Sequence, residues 1–422
     1  MYEPMFTDPA WSAAVMLPIG FMLPPAPTAA APLPGLLRYR VADFLKALRR
    51  IVSYGCPSSK LAVPNTPGNA MKLWMLTHSN ARHAASTAVR AEAAGWAGML
   101  VVDSQNLAGD SYVALTLAAT QTSRLGLGTG VTNSVTRHPA VTASAAMAVQ
   151  DVSGGRMVLG IGRGDSALAH LGRSPAHFRS FAAYLVALQK YMRGEAVDFE
   201  AFPIPHEWAS PVADLQLADH PVNSRLRWLQ GAIPKVPVEV AATGPLVIRL
   251  AAREADRVMF TLGAVPDRLR WGMSEAQAAA PDRTLRFGAY INLVCHPDRA
   301  IARSLVRGGL TTFARFSVMH GQLSGPASVQ QRQVFQALHD GYDMRAHTRA
   351  DSAQASLMDD PFVDAFAIAG PPDYCVDRLN ELKALGIDKV VISGPTAGTD
   401  REQAAKALGL LDETVVKHFR DG

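Results

Sequence analysis

The residues of this chain able to take part in chemistry are few, and each group follows a short apolar run. Two carboxylates, Asp103 and Asp165, and one imidazole, His78, stand at such run ends. Small, amide or hydroxyl-bearing neighbours accompany them: Ser79, then Ser104 and Gln105, then Gly130, Val131, Thr132 and Asn133. Gly162, Arg163 and Gly164 come next, followed by Ala242, Thr243, Gly244 and Pro245, and finally by Ser393 to Thr396. The chain has no HExxH, no histidine pair at helical spacing and no nucleophile elbow. The parts for metal-assisted hydrolysis and acyl transfer are therefore missing, and no metal is expected. Glycine and hydroxyl groups with one or two ionisable partners suit a bound group that brings its own reactivity.

These residues can converge only if the elements before them share one end. Eight apolar runs, each followed by a helical pattern, predict a (β/α)₈ TIM barrel of the α/β class, in which groups at the carboxyl ends of the strands face one pocket. The strands are expected at Lys72–His78, Gly98–Asp103, Leu125–Val131, Arg156–Ile161, Val238–Ala242, Arg257–Leu262, Phe287–Val294 and Lys389–Ser393. Gly98 to Val102, GMLVV, is the apolar run that a strand covered on both faces needs. Asn80 caps a helix that Gly95 ends, Pro139 opens another, and further helices are expected over Pro175–Met192, Asp373–Leu385 and from Asp400. Two stretches, about 195–235 and 308–364, read as insertions.

With 422 residues, one barrel over 71–422 and an N-terminal extension over 1–70 account for the chain. The extension reads as an irregular arm, with six prolines between Trp11 and Gly35, plus one amphipathic helix over Val41–Val52. A hydrophobic fraction of 48% and a charged fraction of 18% fit a soluble enzyme, and no uninterrupted apolar run is long enough for a membrane span. The net charge of +5 is dispersed, which argues against nucleic acid as a partner. Cys56, Cys295 and Cys375 form no CxxC pair, so a reducing cytoplasm is the expected setting. Apolar elements outside a complete barrel point to a homodimer.

The ordered segments GTGVTNSVTRHPAV, GGRMVLGIGRGD, VEVAATGPLVIRLAAREADRVMF and DRLNELKALGIDKVVI resemble the bacterial-luciferase-like superfamily of flavin and deazaflavin oxidoreductases. Within it they are most similar to the methylenetetrahydromethanopterin reductase branch, whose members commonly use coenzyme F420. The resemblance implies a cis peptide at Gly130–Val131 behind the cofactor ring. It implies a phosphate loop at Ala242 to Pro245, where a helix start favours an anion, and a second backbone wall at Gly162 to Gly164 with Arg163 as added charge. Asp165 matches an acidic proton donor in deazaflavin-dependent sugar-phosphate dehydrogenases. Those enzymes carry Asp-His after strand 2, where this chain has Asp103 and Ser104, so the implied activity moves toward reduction.

In that reading Asp103 and Gln105 hydrogen-bond ring or substrate, His78 is a spare imidazole on the rim, and Arg137 and His138 brace the strand 3 loop. Asp165 has a second reading as the cap of the next helix, and Ser393 with Gly394 is a competing phosphate site. The expected function is hydride transfer between bound coenzyme F420 and a small organic substrate. An FMN-dependent monooxygenase using molecular oxygen is the alternative, and a non-catalytic flavin-binding barrel the third.

Overall fold

The computed structural model describes residues 71–421 apart from 230 and 232, so the extension and its expected helix over Val41–Val52 lie outside the described residues. In chain order the strands are β1 (Lys72–Thr77), β2 (Gly98–Val101), β3 (Gly126–Asn133), β4 (Met157–Gly162), β5 (Val238–Ala242), β6 (Arg257–Phe260), β7 (Phe287–Cys295), β8 (Ile368–Gly370) and β9 (Ile387–Ser393). All pair in parallel, β1 through β7 consecutively, and β9 joins β7 to β1. The ring is closed and is a TIM barrel. β8 pairs only with β7 and stands outside it; three residues are too few to carry a hydrophobic period, and the sequence gives no sign of this strand.

Successive strand residues point to opposite faces, and the two faces form separate cores. Leu73, Met99, Leu127, Leu159, Val240 and Val258 pack outward with the helices. Trp74, Leu100, Met259, Tyr290 and Val391 fill the interior. The Trp74 indole occupies the amino-terminal end because β2 and β3 offer glycine there: a Cβ on Gly98 or Gly126 would come within 2.4 Å of it. Lys389 Nζ sits 3.4 Å from the centre of that ring and 2.7 Å from Glu239 Oε2, across the interior.

The helices follow the residues that start and stop them. Asn80 accepts from Arg82 N–H at the start of Ala81–Ala94, and Gly95, with φ 95°, ends that helix in the left-handed conformation. Among its described residues the first insertion contains short 3-10 turns at Phe199–Ala201 and Val212–Leu215 and an antiparallel bridge between Val197 and Ser224. The second begins later than expected, because the helix Arg299–Phe316 runs unbroken through Gly308 and Gly309. These glycines serve close approach and do not end the helix: a Cβ on Gly308 would lie 2.7 Å from the Arg349 backbone. Leu305, Leu310 and Ala314 of this helix join Phe335, Phe362 and Phe366 in a second core above the barrel. Among the described residues no helix is long and apolar enough to cross a membrane.

Candidate active site

At the carboxyl end of β3 the ladder to β4 is irregular between Thr129 and Thr132, and the Gly130–Val131 peptide is cis. Two glycines of β4 make room for Val131, since a Cβ on Gly160 or on Gly162 would stand 3.3 Å from its methyl groups. The same Cβ on Gly162 would lie 3.8 Å from Ala241 Cβ. Val131, Gly162 and Ala241 therefore share one place. Leu76, Val131, Ala241 and Phe313 are half-buried apolar groups packed on the interior cluster. Nearby, Asn133 Nδ2 and both carboxamide atoms of Asn292 are buried without a hydrogen-bond partner, whereas Thr132 faces the Tyr112 hydroxyl in the outer layer. Leaving such groups unmatched costs about 1–3 kcal/mol each, so this end of the barrel is built to receive polar atoms from outside the chain.

One step around the rim, Gly244 caps the helix Pro245–Glu254 with no side chain closing its first turn. Its free N–H groups and positive end suit an anion. The Thr243 hydroxyl bonds that of Thr261, and Ser324, from the second insertion, stands over Gly244: a Cβ there would lie 3.5 Å from Ser324 Oγ. Arg163, on the neighbouring β4 exit, donates from Nε to Ala176 O at 2.6 Å and has no acidic partner among the described residues. Burial draws its pKa down, the response of a guanidinium without a counter-ion. Gly164 follows with φ 85°, a conformation that favours glycine.

Asp165 makes no capping bond to the short helix Ser166–Ala169, so the capping role is not what its side chain does. Its Oδ2 pairs with Arg315 Nη2, both side chains being largely buried. Arg315 reaches this point because the helix Arg299–Phe316 crosses the barrel mouth. Gly309 lies over Asn292 and Ser393, Phe313 faces Tyr290 at 6.4 Å between ring centres, and Arg315 arrives at the β4 exit. The Arg315 guanidinium lies 4.5 Å from the centre of the Tyr342 ring, whose hydroxyl is 2.8 Å from His347 Nδ1. Burial, then repulsion from Arg315 and His170, outweighs the attraction of Asp165 and pushes the His347 pKa down to about 4. Ser166 Oγ is 3.4 Å from Ser104 Oγ, which joins the β2 and β4 exits.

Asp103 differs from its expected contact with ring or substrate. Its carboxylate, with the side chain 1% exposed, is held by Arg137 Nη1 at 2.5 Å, and it accepts from Gln105 Nε2 at 2.8 Å. Gln105 is thereby turned toward Asp103. Arg137 also reaches Asp110 at 2.8 Å, and burial of its charge is outweighed by these acids, which hold its pKa above the usual range. His138 caps the helix Pro139–Val152 through Nδ1, and its Nε2 lies 3.2 Å from Phe202 O, so Arg137 and His138 do brace this loop. His78 is exposed and makes no hydrogen bond among the described residues.

After β9, Ser393 and Gly394 are half-buried, and Thr396 beyond them is engaged by the helix over the mouth. Thr396 Oγ1 accepts from Gly309 N–H at 2.9 Å, and Thr396 N–H donates to Leu305 O at 2.8 Å. Ser324, Arg315, Tyr342 and His347 escaped the sequence reading because the insertion bearing them has no motif. The one usable signal was the length of the insertion, which is excessive for a connection.

A family model described as luciferase-like monooxygenase matches residues 66–389. The 5,10-methylenetetrahydromethanopterin reductase of Methanopyrus kandleri is 28% identical over 331 residues, covering 73% of this chain and 86% of that one. The Methanolobus tindarius protein of the same name is 27% identical, covering 76% and 92%. The solved coenzyme F420 dependent tetrahydromethanopterin reductase from Methanopyrus kandleri matches with a TM-score of 0.62 and 21% identity, over 83% of this chain and 99% of that one. A monooxygenase from Streptomyces bottropensis gives 0.55 and 18%, over 83% and 100%. The two structural matches show the shared fold. By the extent of the family match, this chain belongs to the luciferase-like monooxygenase family.

Proposed function

We propose that this chain is an oxidoreductase that moves a hydride between bound coenzyme F420 and a small organic substrate. The observation that carries this reading is the glycine-walled space at Val131, Gly162 and Ala241, with an uncapped helix start and an unpaired arginine next to it. A flat ring with an anionic tail matches both halves of that arrangement. The Methanopyrus kandleri and Methanolobus tindarius relatives are named as reductases, which supports the direction of the chemistry.

When bound, the deazaflavin supplies the hydride-carrying carbon. The chain supplies position. Val131 presents an apolar surface, Gly160 and Gly162 give it room, and Asn292 and Asn133 offer hydrogen bonds to ring or substrate. Thr243, Gly244, the first turn of Pro245–Glu254 and Arg163 hold the phosphoryl group. Asp165 exchanges a proton with the reacting molecule through Oδ1, the oxygen left free by Arg315. Asp103 and Gln105 brace the loop with Arg137, and Ser104 holds the β2 exit to the β4 exit.

An FMN-dependent monooxygenase is the second reading, favoured by the fold match to the Streptomyces bottropensis enzyme. Separate fluorescence titrations with coenzyme F420 and FMN decide between them. Binding of coenzyme F420 in preference to FMN is expected; tight binding of FMN alone would reverse the order, and binding of neither would remove the redox reading. Asp165→Asn is expected to slow turnover about 10²-fold with cofactor affinity nearly unchanged. Unaltered turnover would take Asp165 out of the mechanism.

A further inference from the structure

We infer that Arg315, delivered to the barrel mouth by the helix Arg299–Phe316, is a positioning residue that fixes the Asp165 carboxyl group with Oδ1 left to the reacting molecule. The inference rests on the redox reading for its purpose, but the pairing itself does not.

Three observations support it. Asp165 lies in the turn after β4 and receives no bond from the helix that follows, so its own element does not set its rotamer. The pairing with Arg315 joins Oδ2 to Nη2, while Asp165 Oδ1 makes no hydrogen bond among the described residues. The guanidinium is in turn fixed by its own surroundings. Its plane lies 4.5 Å from the centre of the Tyr342 ring, and the Tyr342 hydroxyl is 3.2 Å from Thr312 Oγ1, one turn earlier on the same helix, and 2.8 Å from His347 Nδ1. Arg315 Nε is buried with no partner, so the side chain reaches Asp165 at the cost of one unmatched donor. Elsewhere the cap is stitched by Arg303, which binds Asp364 at 2.6 and 2.9 Å and Asp360 at 3.0 Å.

Arg303 supplies the control. Arg315→Met is expected to lower kcat about 10- to 100-fold with KM changed less than about threefold, because the carboxyl group loses the contact that orients it. Arg315→Lys should recover turnover to within about threefold, since a single nitrogen makes the contact. Arg303→Met, which breaks ion pairs wholly within the cap, should leave kcat within about threefold of the wild type.

In the cofactor-free protein, the Asp165 carboxyl resonance, identified by its loss in Asp165→Asn, should change its chemical shift in Arg315→Met and keep its wild-type position in Arg303→Met. An unmoved resonance in Arg315→Met, or equal losses of kcat in Arg315→Met and Arg303→Met, would overturn the inference. Failure of coenzyme F420 and FMN to bind would overturn the redox reading alone, because the carboxyl resonance is read without either.

Discussion

His347 shows how much a single side chain near the mouth depends on what covers it. Its pKa of about 4 lies below the ordinary value of 6.5, so the unfolded chain takes up a proton first as the pH falls. Stability tied to this group is complete above about pH 6.5 and is lost on descending toward pH 4, with a ceiling of about 3 kcal/mol. The denaturation midpoint of the wild type is therefore expected to drop between pH 7 and pH 4.5 by more than that of His347→Gln. Parallel losses in the two proteins would mean that the imidazole is not buried in solution. Sequence reasoning had no access to this residue. It did find Asp103 and Arg137, separately, as a strand-end acid and a loop brace, but not that each is the other's partner. Residues 34 apart meet only because β2 and β3 lie side by side.

Strands were the most legible elements, because a barrel strand must be apolar on both faces and its run ends abruptly. Their glycines were legible as turn-formers but not as packing devices. A Cβ on Gly160 would come within 2.2 Å of the Thr129 carbonyl oxygen, where neither strand can yield. Gly160→Ala is expected to destabilise by about 3 kcal/mol or more. Gly409, in the helix Arg401–Leu410, has open space where its Cβ would stand, and Gly409→Ala should instead stabilise by up to about 1 kcal/mol. Thermal unfolding of the two variants checks the contrast, and equal effects would discard the packing argument. The helix Arg299–Phe316 was misjudged for the same reason: Gly308 and Gly309 look like a break until Thr396 and Arg349 are seen against them.

Across the whole molecule, a buried charge group ties opposite sides of the barrel together. Glu239 of β5 meets Lys389 of β9 at 2.7 Å and Arg257 of β6 at 3.2 Å, all three side chains being at most 7% exposed. Burial presses the Glu239 carboxyl upward, yet the charges of Lys389 and Arg257 outweigh it and hold its pKa below the usual range. Burial also pulls the Lys389 pKa down to about 8 against the attraction of Glu239. Glu239→Gln strands the Lys389 cation in the interior, while Arg257 keeps Asp388, and is expected to cost about 3–5 kcal/mol in chemical denaturation. Glu275→Gln, which breaks the exposed pair with Arg249, should cost less than about 1 kcal/mol. Similar losses in both variants would show that the interior group is hydrated.

The order of strands and helices, and the glycine, hydroxyl and acidic residues at the strand ends, were determined by the sequence, because periodicity and turn chemistry act over a few neighbouring residues. Which acid has both oxygens engaged and which keeps one open was decided by the tertiary structure. Asp103 and Asp165 occupy equivalent places after their strands, but one meets Arg137 and Gln105, while the other keeps an oxygen open beside Arg315. Those partners lie far along the chain, and only closure of the barrel and the path of a helix across its mouth bring them within reach.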